Sequence, residues 1–248
     1  MKLEIKGFIE MSMLDWDGKI VSTIYLPKCN FRCPFCQNAG LVLKPEQYNT
    51  IILETIKNYL SGHKGGVDGV CISGGEPCLY DGLEDFIKEV KNIGMLVKLD
   101  TNGSFPKVLK KLIDASTPLS INPEQSRRVD YVAMDIKGPL EEGSYAGSCG
   151  VKDKKILENV KESIKIIMGS GIDYEFRTTV VPGLHKKEDI LKIAKYIKGA
   201  KKYALQNFRP QNTLDPEYLK IKPYSAEQLN EMCDVVSRYV KNCVARGT

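Results

Sequence analysis

The stretch Ile172-Asp173-Tyr174-Glu175-Phe176-Arg177-Thr178-Thr179-Val180-Val181 decides how this chain folds. Side chains alternate across a strand, so Ile172, Tyr174, Phe176 and Val180 face one way and Asp173, Glu175, Arg177 and Thr179 the other. The same division recurs at 131–137, where Val132, Met134 and Ile136 oppose Tyr131, Ala133, Asp135 and Lys137. Lys98 and Asp100 likewise share a face opposite Val97 and Leu99. Strands of an open doubly wound sheet are apolar on both faces. Charge on one face suits a barrel whose interior is polar near the C-terminal ends of its strands, where the active sites of such barrels lie.

Working outward, the spacing predicts further strands near 68–73, 95–100 and 202–209. It predicts helices near 46–60, 82–92, 105–114, 154–169, 186–198 and 225–243. Tyr48, Ile51, Ile52, Thr55, Ile56 and Tyr59 mark the first helix, and Ser225-Ala226-Glu227-Gln228 forms a capping box at the start of the last. Residues 2–10 and 19–26 read as a β-hairpin around Asp15-Trp16-Asp17-Gly18. Six strand-then-helix units follow residue 19, an order that favours parallel strands with crossover helices. The expectation is an α/β fold, a partial (β/α)6 TIM-like barrel with an N-terminal β-hairpin. It is read as one domain, 1–248, with a leading hairpin segment (1–18), a barrel core (19–209) and a C-terminal extension with a helix (210–248).

Composition narrows the function classes. Of 248 residues, 36 are Lys or Arg and 31 Asp or Glu, a formal charge of +5; 42% are hydrophobic and 27% charged. That mix excludes wholesale disorder. The sequence contains no run of about 18 apolar residues that could span a bilayer, and the N-terminus lacks the build of a signal peptide. The expectation is a cytoplasmic protein without a membrane partner. The lysines are dispersed rather than clustered with arginine and aromatics, so nothing points to nucleic acid.

Cysteine usage is the informative oddity. In a reducing compartment, eight cysteines point to metal or redox chemistry rather than disulfides. Cys29-Asn30-Phe31-Arg32-Cys33-Pro34-Phe35-Cys36 follows the first core strand with C-x3-C-x2-C spacing. Three thiolates so close together can ligate three irons of a [4Fe–4S] cluster, leaving the fourth iron open to a small molecule. Structural zinc takes four N or S ligands, and only His63 and His185 are available beside the cysteines. Zinc remains the alternative. Cys233 and Cys243 share an apolar helical stripe with Leu229, Met232, Val236 and Val240 and read as core. Cys71 and Cys78 read as packing, Cys149 has no assignable purpose, and His185 reads as a surface residue.

With Ser73-Gly74-Gly75-Glu76-Pro77 closing the second core strand, the cysteine loop resembles the radical S-adenosylmethionine (SAM) superfamily, Phe35 being the aromatic of its signature. Gly7-Phe8 through Ser12, Asp15 and Gly18-Lys19 look like the first segment of glycyl-radical-enzyme activases of the anaerobic ribonucleotide reductase type. Asp100-Thr101-Asn102-Gly103, Met134-Asp135-Ile136-Lys137 and Arg177 through Gly183 also look like activase motifs. The resemblance implies that Cys29, Cys33 and Cys36 hold the cluster and take part in catalysis. It implies that Gly74, Gly75 and Glu76 hold the amino group of SAM, and that Lys137 and Arg177 contact it. In pyruvate formate-lyase activases the matching Asp, Thr and Asp positions hold a monovalent cation, so the resemblance implies one near Asp100, Thr101 and Asp135. Arg209 stands where that family has a histidine. The implied reaction is one-electron reduction of SAM to methionine and a 5′-deoxyadenosyl radical, which takes a glycine α-hydrogen from a partner, the anaerobic ribonucleotide reductase. A low-potential donor such as ferredoxin or flavodoxin would supply the electron. Two alternatives stay open: a radical SAM enzyme acting on a small molecule or modified nucleoside, and a non-enzymatic zinc or iron–sulfur module.

Overall fold

The computed structural model describes residues 3–114 and 129–247. A polar loop that the sequence also predicts, at about 116–128, lies outside them. The strands are β1 (Gly7–Ser12), β2 (Val21–Leu26), β3 (Gly69–Gly74), β4 (Leu96–Thr101), β5 (Tyr131–Asp135), β6 (Asp173–Val180), β7 (Tyr203–Asn207) and β8 (Cys243–Arg246). The helices are α1 (Ala39–Leu43), α2 (Leu53–Gly62), α3 (Leu83–Ile93), α4 (Pro106–Ile113), α5 (Glu142–Cys149), α6 (Lys154–Gly169), α7 (Lys187–Tyr196) and α8 (Ala226–Val236). The eight strands follow one another in chain order in a mostly parallel sheet. This is the α/β class that the alternation predicts.

The described chain forms two compact units. The first comprises residues 3–30, 40–101, 107–114 and 129–132. In it β1 pairs antiparallel with β2, and β2–β3 and β3–β4 are parallel. Val21, Ile24, Val70, Ile72, Val97 and Leu99 of its strands are buried, as are Ile56 and Leu60 of α2 and Phe86, Ile87 and Val90 of α3. Gly94, with φ of 90°, ends α3 in the left-handed conformation glycine adopts without penalty. The hairpin turn folds inward: Trp16 packs on Val21 and Cys71 and against Tyr131, ring centroids 5.6 Å apart.

The second unit comprises residues 31–39, 102–106 and 133–247. Its strands β6, β7 and β8 are parallel neighbours. Phe176, Tyr203 and Leu205 are buried with Val160 and Ile164 of α6, Ile190 and Ile193 of α7, and Leu229 of α8. Asp153 caps α6 by accepting from the Lys155 N–H at 3.0 Å. The predicted capping box starts α8, Gln228 N donating to Ser225 Oγ at 3.3 Å and Ser225 N to Gln228 Oε1 at 2.9 Å.

Three local expectations are corrected. The first predicted helix begins at Leu53, not 46, because the Ile51 N–H donates to the Ile5 carbonyl at 2.9 Å and holds that segment extended. The last stops at Val236, and residues 243–246 form β8 beside β7, so Cys243 lies on a strand. Its sulfur nevertheless meets that of Cys233, Sγ to Sγ 2.6 Å. β8 is further held by Arg246, which grips both oxygens of Glu175 at 2.9 and 2.8 Å; Glu175 is only 2% exposed. Short α5, without a clear apolar stripe, escapes periodicity altogether.

Candidate functional site

In the first unit the Gly-Gly-Glu turn is clamped to the chain leading into the cysteine loop. Gly75 N donates to Leu26 O at 2.8 Å and Glu76 N to Lys28 O at 2.9 Å. This approach leaves no room for side chains. A Cβ on Gly75 would lie 1.6 Å from Lys28 O, and one on Gly74, whose φ is 116°, would lie 2.2 Å from Leu26 O. The glycines are therefore required by close backbone packing, and that packing fixes the course of the residue before Cys29.

Glu76 is fully buried, and its Oε1 accepts from Cys78 N at 2.9 Å and Thr101 Oγ1 at 2.8 Å. Burial, reinforced by the Glu76 charge, pushes the Cys78 thiol well up, so Cys78 stays protonated and packs as expected. On β4, Asp100 accepts from Ser73 Oγ at 3.1 Å and pairs with Lys98 Nζ at 2.8 Å. Lys98 also donates to the Asp15 carbonyl at 2.6 Å, and Thr23 Oγ1 pins the Asp15 side chain at 2.7 Å. Sequence reasoning placed Lys98 on the face of Asp100 but gave it no part in the site; its i, i+2 spacing was the signal available.

The second unit carries Cys33, Phe35 and Cys36 together with Asp135, Lys137, Arg177 and Arg209. Neighbours hold its part of the cysteine loop at several points. Arg32 N donates to Cys149 O at 2.9 Å, Asp215 N to Pro34 O at 2.9 Å, and Gln37 Nε2 to Arg209 O at 2.9 Å. Phe31 meets Tyr145 edge-on at 6.5 Å and Phe35 meets His185 at 6.0 Å between centroids. Cys149 is thus a buried residue at the end of α5 whose carbonyl supports the loop. Arg209 is exposed, with its guanidinium beside Gly247.

Asp135, at the end of β5, is gripped from two sides. Arg177 Nε donates to its Oδ1 at 2.7 Å and Lys137 Nζ to its Oδ2 at 2.8 Å. Burial alone would raise the Asp135 pKa, but the Arg177 and Lys137 charges outweigh it and hold the carboxyl far below the usual range. Lys137 shows the mirror image. Burial would lower its pKa, but the Asp135 carboxylate and the sulfurs of Cys33 and Cys36 raise it well above normal. Arg177 thus pairs with Asp135 on another strand, whereas Glu175 of its own strand belongs to Arg246.

His185 is a correction. It is 0% exposed rather than on the surface. The Val181 N–H donates to its Nδ1 at 3.1 Å, so the proton sits on Nε2, which donates to the Lys137 carbonyl at 2.8 Å. Burial lowers its pKa and keeps it neutral. The ring braces Phe35 on one side and the Lys137 backbone on the other. The Pro182-Gly183 turn that returns the chain onto β6's end gave no sequence signal of this burial.

The donor set suits an iron–sulfur cluster. Cys29, Cys33 and Cys36 carry no disulfide and lie on one short loop, Cys33 buried and the other two half-buried. A thiolate-ligated cluster is anionic, and the Lys137 ammonium is already charged against Cys33 and Cys36. Among the described residues, no group of three or more His, Cys, Asp or Glu side chains converges as ligands of a single ion would. No helix among the described residues is long and apolar enough to cross a membrane.

Comparison with known proteins gives the same family. The radical SAM superfamily description matches residues 23–197. Over 247 residues the chain is 31% identical to the "Putative glycyl-radical enzyme activating enzyme" of Methanocaldococcus jannaschii, spanning 99% of this chain and 97% of that protein. A GTP 3',8-cyclase of Alkaliphilus oremlandii is 31% identical over 167 residues, spanning 60% of this chain and 52% of the cyclase. Among solved structures, Streptococcus suis SuiB bound to S-adenosylmethionine aligns with a TM-score of 0.62 at 17% identity, over 89% of this chain and 48% of SuiB. At that identity the likeness to SuiB is one of fold. The cysteine loop, the Gly-Gly-Glu turn and a family match over well more than half the chain lead to one conclusion: this chain belongs to the radical SAM superfamily, whose members use a [4Fe–4S] cluster and SAM.

Proposed function

We propose that the protein is a glycyl-radical-enzyme activase, with the anaerobic ribonucleotide reductase as its first candidate partner and a ferredoxin or flavodoxin as electron donor. Cys29, Cys33 and Cys36 would hold the cluster, which when bound supplies the electron that splits SAM into methionine and a 5′-deoxyadenosyl radical able to take a glycine α-hydrogen. The chain's own residues place and insulate that chemistry. The Gly-Gly-Glu backbone would receive the amino group of SAM, and Asp100, Thr101, Lys137 and Arg177 its polar periphery. Lys137 stays protonated beside Cys33 and Cys36 and offsets their negative charge. His185, neutral and with both nitrogens engaged, braces the loop without exchanging protons.

The observation that carries the reading is the end-to-end correspondence with the activase-named relative, 97% of whose length is matched, whereas only 52% of the cyclase is. The test is anaerobic mixing of the reconstituted, reduced, SAM-loaded protein with a candidate reductase. Electron paramagnetic resonance should show a glycyl doublet that vanishes when the partner's glycine is changed to alanine. Rapid SAM cleavage with a nucleotide, and no doublet from any candidate partner, would establish the small-molecule reading instead.

A further inference from the structure

Asp100 already has a cation. Lys98 lies two residues earlier on β4, so both side chains leave the same face of the strand. The Lys98 side chain is 3% exposed. Its ammonium donates to Asp15 O at 2.6 Å and to Cys71 Sγ at 3.8 Å, and forms an ion pair with Asp100 Oδ1 at 2.8 Å. A main-chain carbonyl and a carboxylate are the oxygen donors that hard metal cations also select. The hairpin turn that offers the carbonyl is held in place by Thr23 Oγ1 and by the packing of Trp16. The other Asp100 oxygen accepts from Ser73.

A metal ion at the same carboxylate would sit against a buried ammonium and be repelled by it. Asp135, the second carboxylate expected near such an ion, already has Arg177 on one oxygen and Lys137 on the other. The residues therefore do not fit the monovalent cation that the activase resemblance implies. We propose that the Lys98 ammonium is the resident cation of the Asp100 site, supplied by the chain in place of K+ or Na+, and that the protein works without either ion. That Asp100 lies beside SAM rests on the proposed function; that its cation is an ammonium does not.

Two measurements test this. In the first, cluster-free protein is melted at fixed ionic strength in potassium, ammonium or tetramethylammonium chloride. The wild-type midpoint should be the same in all three. Lys98→Ala should melt lower, and potassium or ammonium, but not bulky tetramethylammonium, should raise its midpoint saturably by occupying the vacated place. Lys98→Met, which fills the space without charge, should show no such rescue. In the second, anaerobic equilibrium dialysis compares SAM binding to the reconstituted wild type with potassium or with only tetramethylammonium present; affinity should be unchanged.

A wild-type midpoint or SAM affinity that climbs saturably with K+ would overturn the proposal, and the wild-type arm does so even if Lys98→Ala fails to fold. A folded Lys98→Ala indifferent to all three cations would overturn it as well. Ammonium rescue in a protein that binds no SAM would uphold the ammonium site and sink the activase reading, so the two can fail separately.

Discussion

Replacing Asp135 by Asn tests the reading of the second unit most directly. The substitution preserves shape and removes one charge from a group in which Arg177 and Lys137 each hold a carboxylate oxygen, at 2.7 and 2.8 Å. The side chains of Asp135, Arg177 and Lys137 are 23, 11 and 17% exposed. An amide can accept from one cation but must turn its NH2 toward the other, leaving two largely buried positive charges without compensation. Breaking such a pair from one side costs about 3–5 kcal/mol when fully buried. The residual exposure favours the lower end, about 3 kcal/mol. With a urea slope of about 3 kcal/mol per molar for a chain of this size, the midpoint should fall by about 1 M. The assay is equilibrium urea unfolding of the cluster-free protein at pH 7, followed by circular dichroism. Asp135 ionises far below the ordinary carboxyl pKa of 3.8, so its contribution is fully present above that value and is lost only as pH falls below it. The double variant Asp135→Asn/Arg177→Met should lose less than the sum of the single losses, because removing a cation removes part of the stranded charge. A loss under about 1 kcal/mol, or strict additivity, would show that the three charges do not act as a unit and refute the reasoning.

Three further outcomes are expected. Cys33→Ala should abolish loading of about four irons per chain during anaerobic reconstitution, while Cys233→Ala loads normally; iron analysis beside a circular dichroism spectrum separates lost cluster from lost fold. Gly75→Ala should be severely destabilised, since its Cβ would fall 1.6 Å from Lys28 O, a backbone atom that cannot move aside cheaply; a thermal midpoint within a degree or so of wild type would contradict the clamp. His185 is buried neutral, with a folded pKa below the usual 6.5, so the unfolded chain binds more protons below that pH. Its stabilisation should be complete above about pH 6.5 and decline below it by up to about 1.4 kcal/mol per pH unit, and this slope should shrink in His185→Gln when urea unfolding is compared between pH 7 and 5.5.

Much of the architecture was legible because its causes are local. Strand alternation, amphipathic stripes and the Ser225–Gln228 capping box are written within a few residues of one another, and α3, α4, α6, α7 and β3 through β7 lie where periodicity put them. Two helix ends were not legible in this way. Tyr48, Ile51 and Ile52 continue a helical stripe, but a hydrogen bond to Ile5, far earlier in the chain, holds the segment extended. Cys243 continues the stripe of α8, but the open side of β7 recruits residues 243–246 as a strand.

The cysteine motif is likewise a property of the sequence itself. C-x3-C-x2-C holds three thiols together by covalent spacing in any compact state, and two adjacent glycines announce a backbone that must be approached closely. What only tertiary structure decided is which charge meets which. Arg177 joins Asp135 across 42 residues, Arg246 joins Glu175 across 71, and Lys98 reaches the Asp15 carbonyl across 83. Periodicity assigns a side chain to a face, but its partner depends on the register of strands and turns far away in the chain. A charge that reads as an ordinary strand residue can therefore prove to be the cation of a buried site.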